Sequence, residues 1–414
     1  MQTPFRLRLP HHLLLLCAAY VAYLFRGWTW EENFIHNVLK VFPALPPVDP
    51  IRGRDVAAQV DSLAGATRNM EVLMGRGPGF LMQYTAGPEI AAASFGPTAT
   101  KVVRINATTS SGGDAPPMTC TCPHDAGTDD TLPLVLYFHS GGMIVGSVDA
   151  ELHYARYIAR EASAVVCSVK YRKAPAHRLS DVLEDVVGAS AALLGSSSSS
   201  STLGSSTLGA DLVRSLGIGG IDTSRAATFG ISAGGYLAAM VPRHLAAMRQ
   251  EEKDSSDLVA AIRVQISMAP MVRPLADTPS MVEHFHDAPD WSGDHNTYAW
   301  SALLAGDRDG DGTQACDWQA NLMADLPEKE SGTMAAALPP AYVVTATKDI
   351  LRDEGRAYAE QLRSAGRLIE HVEYNTNHGG LFPELSRRGP ADQALSRAVQ
   401  VLSDRLNGGR SVVE

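Results

Sequence analysis

Five short apolar runs, each of strand length, constrain this chain more than any other feature. They are Leu132 to Phe138, Val165 to Tyr171, Ala226 to Phe229, Ile262 to Met268 and Ala341 to Thr345. Helical stretches lie between and after them: Glu151 to Ala162, Ser180 to Leu194, Ala233 to Arg249 and Asp353 to Ala365. Strands this rich in apolar residues read as buried on both faces. Their alternation with helices predicts a mostly parallel sheet with helices on both sides. Ile369 to Tyr374 adds a last strand, and Lys101 to Thr108 and Met118 to Cys122 read as two strands near the start. Open sheets of this kind bind ligands beyond the carboxyl ends of their strands. The residues just past each run are therefore where chemistry is to be sought.

Gly230-Ile231-Ser232-Ala233-Gly234-Gly235 sits between Ala226 to Phe229 and a helix. A serine on a sharp strand-to-helix turn is presented at the top of the sheet, and the flanking glycines leave it room. The helix N-terminus adds partial positive charge beside it. Upstream, His139-Ser140-Gly141-Gly142 comes directly after Leu132 to Phe138. A glycine pair lets the backbone approach a substrate closely, so the amides of Gly141, Gly142 and Ala233 are the natural donors to a developing oxyanion. Downstream, Asp349 lies past Ala341 to Thr345, and His378 lies in the loop after the last strand. A carboxylate there can orient a histidine and stabilise its imidazolium. Asp353 and Glu354 read instead as favourable charges in a first helical turn. Of 13 histidines, His378 is singled out by position. His139 precedes the serine, and His284 and His286 fall in an insert.

Together these motifs resemble the hormone-sensitive-lipase-like ("GDXG") branch of the α/β-hydrolases, which includes arylacetamide-deacetylase-type esterases. The similar stretch runs from about residue 101 to 406. Besides the segments above it holds Tyr171-Arg172-Lys173-Ala174-Pro175 with His177, Leu338-Pro339-Pro340, and Asp349-Ile350-Leu351-Arg352-Asp353-Glu354. The resemblance implies an α/β-hydrolase fold with Ser232 as nucleophile, Asp349 as acid and His378 as base, and an oxyanion hole at Gly141, Gly142 and Ala233. It implies a helical cap built from residues 31–100 and from an insert near 275–330. Residues 101–414 then form the catalytic domain. The implied activity is carboxylic ester hydrolysis through an acyl-enzyme, on a small-molecule or lipid ester, with no metal or organic cofactor. An amidase or deacetylase on the same triad and a catalytically weak binding relative are the alternatives. Three positions depart from the family pattern: Ser140 replaces the first oxyanion-loop glycine, Ile231 the aspartate before the nucleophile, and Lys170 the aspartate of the Asp-Tyr-Arg strand end. From sequence, Ser140→Gly is expected to leave hydrolysis of a short ester intact or faster.

Composition closes other routes. A net charge of -10 supplies no basic stripe for nucleic acid. The five cysteines, Cys17, Cys120, Cys122, Cys167 and Cys316, have neither ligand spacing nor an even count, and read as structural thiols. Cys120 and Cys122 alternate on one strand face, poorly placed to bridge each other. Residues 1–30 carry Arg6 and Arg8, then an apolar run from Leu13 to Phe25, then Arg26, Trp28 and Trp30. That run is short of the roughly 20 residues of a span, and fits a membrane anchor, a cleaved secretory signal or a plain apolar helix. The Ser-rich segment 195–209 reads as a surface loop. Asp307 to Gly312 begins like a calcium loop, but its twelfth position is Trp318, so it reads as a solvated acidic loop. Asn106-Ala107-Thr108 is a glycosylation sequon, meaningful only in a secretory lumen.

Overall fold

The structure is a computed structural model. It describes residues 100–105, 116–195, 202–203, 207–248, 255–285, 291–304, 318–324, 338–382 and 390–408. The N-terminal apolar run, the helical region expected over 31–100, the sequon and the acidic loop lie outside these residues. No helix among the described residues is long and apolar enough to cross a membrane.

Among the described residues nine strands form one sheet: β1 (Thr100–Ile105), β2 (Met118–Pro123), β3 (Thr131–Phe138), β4 (Val165–Val169), β5 (Thr202–Leu203), β6 (Gly220–Ile231), β7 (Ile262–Met268), β8 (Ala341–Ala346) and β9 (Leu368–Tyr374). Their order is β1-β2-β4-β3-β6-β7-β8-β9, with β5 pairing β6. From β4 to β9 every pair along this path is parallel, while β1, β2 and β4 pair antiparallel. Part of the Ser-rich segment is thus not loop: Thr202 and Leu203 pair antiparallel with Asp222 and Ile221.

Strand alternation divides the core. Leu134, Leu136 and Phe138 of β3 face one side, and Val135 and Tyr137 face the other. The first side is covered by α2 (Leu179–Leu194), α3 (Thr207–Leu216), α4 (Ala233–Met248) and α8 (Arg352–Ser364); α1 (Leu152–Glu161) and α9 (Pro390–Asn407) cover the second. The remaining α-helices among the described residues are α5 (Ser255–Ala261), α6 (Pro279–Glu283) and α7 (Gly293–Leu303), the last two within the 275–330 insert. Strand β6 is longer than its apolar stretch. Its first half carries Asp222, Thr223, Ser224 and Arg225, which hide the strand from a hydrophobicity reading.

The cysteine expectation is corrected. Cys120 and Cys167 form a disulfide, and only Cys122 is a free, buried thiol among the described residues. The pair stand directly opposite on the antiparallel strands β2 and β4. Sequence spacing carries no sign of that register, because the partners are 47 residues apart. Cys120 and Cys122 do share one face and do not bridge each other.

Two departures from the family pattern have a plain setting. Ile231 is fully buried in the core beneath α1 and α9, where an apolar side chain is at home. Lys170 is exposed at the end of β4.

Candidate active site

The loops after β3, β6, β8 and β9 meet at the carboxyl edge of the sheet. Ser232 stands between β6 and α4 with φ +59, a left-handed conformation that non-glycine residues rarely adopt. The turn is held from several sides. The Ser232 amide donates to the Met268 carbonyl at 2.8 Å, and the Ser232 carbonyl accepts from Tyr236 and Met271. Its glycines are sterically required. A β-carbon on Gly230 would stand 2.1 Å from the Gly234 carbonyl oxygen, and one on Gly234 would stand 2.0 Å from that of Phe138.

His378 reaches Ser232 from the loop after β9. Its Nε2 lies 3.0 Å from Ser232 Oγ, and its Nδ1 lies 2.7 Å from Asp349 Oδ2. Asp349, in the turn after β8, also accepts the Leu351 amide on Oδ1 at 3.0 Å. All three side chains are buried. The three residues singled out in the sequence are therefore brought into one hydrogen-bonded chain. A proton on Nδ1 satisfies Asp349 and leaves Nε2 free to accept from the serine hydroxyl.

The loop after β3 supplies the opposite wall. Gly141, Gly142 and Met143 all have positive φ, at 106, 62 and 58. The Ile144 and Val145 amides close back on the Gly141 carbonyl at 3.0 and 2.9 Å. Ala233 opens α4, where the first amides of a helix have no partner within it. His139 is not a competing base. Its ring is stacked on Tyr171, 4.1 Å between centroids, and burial pushes its pKa down to about 3. The Tyr171 hydroxyl donates to the His139 carbonyl at 2.7 Å, tying the start of this loop to the end of β4.

Sequence reasoning missed three residues here. Trp291, from the insert, is packed against the loop: a β-carbon on Gly142 would stand 2.2 Å from its ring. The Trp291 ring centre is 6.3 Å from that of His378, and Phe382 lies 5.7 Å away on the same histidine. Nothing in the aperiodic insert marks this tryptophan. Glu151 is bonded to Ser140, and the departure at Ser140 was the available signal that an acceptor stands nearby. Glu354 corrects the first-turn reading. It is fully buried, accepts the Val272 amide at 3.0 Å, and burial raises its pKa well above the usual carboxylate value. Asp353 fits the sequence reading better: Arg352 beside it holds its carboxyl below the usual value, and it accepts the Ser280 amide at 2.8 Å.

Comparison with known proteins identifies the family. The family profile described as an alpha/beta hydrolase fold matches residues 135–381, more than half of the 414-residue chain. Esterase LipI of Mycobacterium tuberculosis is 31% identical over 296 residues, covering 70% of this chain and 76% of that protein. Carboxylesterase NlhH of the same species is 32% identical over 247 residues, covering 58% of this chain and 64% of its own length. The solved structure of EstE1, a thermophilic and thermostable carboxylesterase cloned from a metagenomic library, is similar with a TM-score of 0.62 and 26% identity, covering 83% of this chain and 99% of that one. The chain belongs to the α/β-hydrolase fold family, in its hormone-sensitive-lipase-like esterase branch.

Proposed function

We propose that this hydrolase cleaves carboxylic esters in two steps through an acyl-Ser232 intermediate. The reading rests above all on the buried chain Ser232–His378–Asp349, with contacts of 3.0 and 2.7 Å. In the first step His378 Nε2 takes the hydroxyl proton as Ser232 Oγ attacks the ester carbonyl. Negative charge develops on the carbonyl oxygen and is met by the amides of Gly141, Gly142 and Ala233. Asp349 holds the His378 tautomer and balances its positive charge. The imidazolium then gives its proton to the leaving alkoxide. In the second step His378 activates a water that releases the acid. Each proton taken is returned, so no metal or organic cofactor is called for.

The substrate is a small-molecule or lipid ester whose reacting carbonyl enters between Gly142 and His378. Trp291 touches the first and neighbours the second, so an apolar group is favoured there. The insert that carries Trp291 acts as part of a cap over the site.

The test is a chain-length series of p-nitrophenyl esters, with matched anilides, on the full chain and on Ser232→Ala. Esters should turn over and anilides should lag. Ser232→Ala should lose at least about 10³-fold in kcat. Turnover that survives in Ser232→Ala would contradict the assignment, and anilides outpacing esters would move the protein to amide chemistry.

A further inference from the structure

We propose that Glu151 is a positioning residue for acyl transfer, clamping the oxyanion loop through Ser140. The inference rests on Gly141 and Gly142 serving as oxyanion donors, and deepens that reading.

Glu151 stands at the N-cap of α1, yet its side chain makes no capping bond to that helix. It is buried instead, where a carboxylate is costly unless its oxygens are satisfied. Three donors reach it from one short segment. The Ser140 amide donates to Oε1 at 2.9 Å, and the Ser140 hydroxyl donates to the same oxygen. The Tyr137 hydroxyl donates to Oε2 at 2.6 Å. Three donors thus converge on one carboxylate, and two of them belong to the residue immediately before Gly141.

Ser140 is the entry to the most freely rotating stretch of the site. Residues 141, 142 and 143 all hold positive φ, and two of them are glycines with wide conformational freedom. Such a segment keeps one shape only if its ends are fixed. Its far end is fixed: the Ala174 amide donates to the Met143 carbonyl at 3.0 Å, and Lys173 Nζ donates to the Gly146 carbonyl at 2.5 Å. Its near end is fixed at Ser140 by Glu151, one residue after the His139 carbonyl that Tyr171 holds. Ser140, where the family has glycine, is the residue that offers the carboxylate a second donor. Fixed donors stabilise an oxyanion because they need no reorganisation when charge develops.

Under this proposal the outcome expected for Ser140→Gly is the opposite one. The substituted residue keeps its amide bond to Glu151 and loses the hydroxyl bond, so kcat should fall about threefold to tenfold, within the net worth of one ordinary hydrogen bond. Glu151→Ala removes every acceptor and should lower kcat by about 10- to 100-fold with KM within about twofold, since a small displacement of catalytic donors costs rate rather than binding. Glu151→Gln keeps one acceptor oxygen and should recover part of the loss.

The experiment measures kcat and KM on p-nitrophenyl acetate for Glu151→Ala, Glu151→Gln, Ser140→Ala and the double variant Glu151→Ala/Ser140→Ala. It adds the inhibition constant of a trifluoromethyl ketone, whose serine adduct places an oxyanion in the hole. The double variant should be no worse than Glu151→Ala alone, because both act on one contact. The inhibitor should weaken by the same factor as kcat/KM falls. Should Glu151→Ala not accumulate, Glu151→Gln and Ser140→Ala carry the test. Full kcat in Glu151→Gln and Ser140→Ala, or a loss confined to KM, overturns the inference while Ser232-dependent hydrolysis leaves the main reading standing. Absence of Ser232-dependent turnover in the unsubstituted chain overturns both.

Discussion

Asp349→Asn is expected to lower kcat on a short ester by about 10³- to 10⁴-fold while leaving the fold intact. The side chain keeps its shape, and an amide oxygen can still accept the Leu351 amide that Asp349 now accepts on Oδ1. What changes is the contact at 2.7 Å with His378 Nδ1. An amide nitrogen turned toward that ring donates, which favours the tautomer with Nδ1 bare and Nε2 protonated. His378 Nε2 could then no longer accept the serine proton across its 3.0 Å contact. The imidazolium formed during attack would also lack its balancing charge in a buried site. The measurement is steady-state kinetics beside a thermal melt. A melting temperature close to that of the unsubstituted chain with a collapse in kcat is the predicted pair of results. Activity within tenfold of normal would remove Asp349 from the proposed mechanism.

Gly234→Ala is the second large effect, and it acts through the fold. The added β-carbon would stand 2.0 Å from the Phe138 carbonyl oxygen, 2.8 Å from its carbon and 3.0 Å from the His139 carbonyl oxygen. These are backbone atoms at the end of a central strand, with Phe138 in register opposite Gly230. They cannot rotate away as a side-chain tip would. The strand and the elbow must separate, at a cost of about 3 kcal/mol or more. Soluble protein should fall sharply, and whatever folds should melt lower and hydrolyse poorly. Gly188→Ala is the matched control. Gly188 lies inside α2, and a β-carbon there meets nothing within 4 Å. That change should raise stability by about 0.5–1 kcal/mol, because it removes unfolded-state freedom without a clash. If both variants melted alike, steric crowding at the elbow would not explain the glycines.

Most of the sheet and the outline of the site are legible in the sequence because both depend on local pattern. Apolar runs such as Leu132 to Phe138 and Ala341 to Thr345 mark buried parallel strands by themselves. Ser232, Gly141, Gly142 and Asp349 lie just past such runs and His378 just past the half-buried last strand, and the strand order brings those ends to one edge. The features that stayed hidden depend on register and burial. Cys120 meets Cys167 only because β2 and β4 pair with one particular register. Glu151 and Glu354 look like ordinary charges near helix starts until packing turns both inward. Trp291 reaches Gly142 from an insert whose path no periodicity predicts.

The mechanism proposed above turns on Ser232 as the nucleophile. Its most direct test is covalent labelling with a fluorophosphonate, read by intact mass and by peptide mapping. One adduct per chain is expected, on the peptide holding Ser232 and absent from Ser232→Ala. An adduct on another serine, or equal labelling of Ser232→Ala, would contradict it.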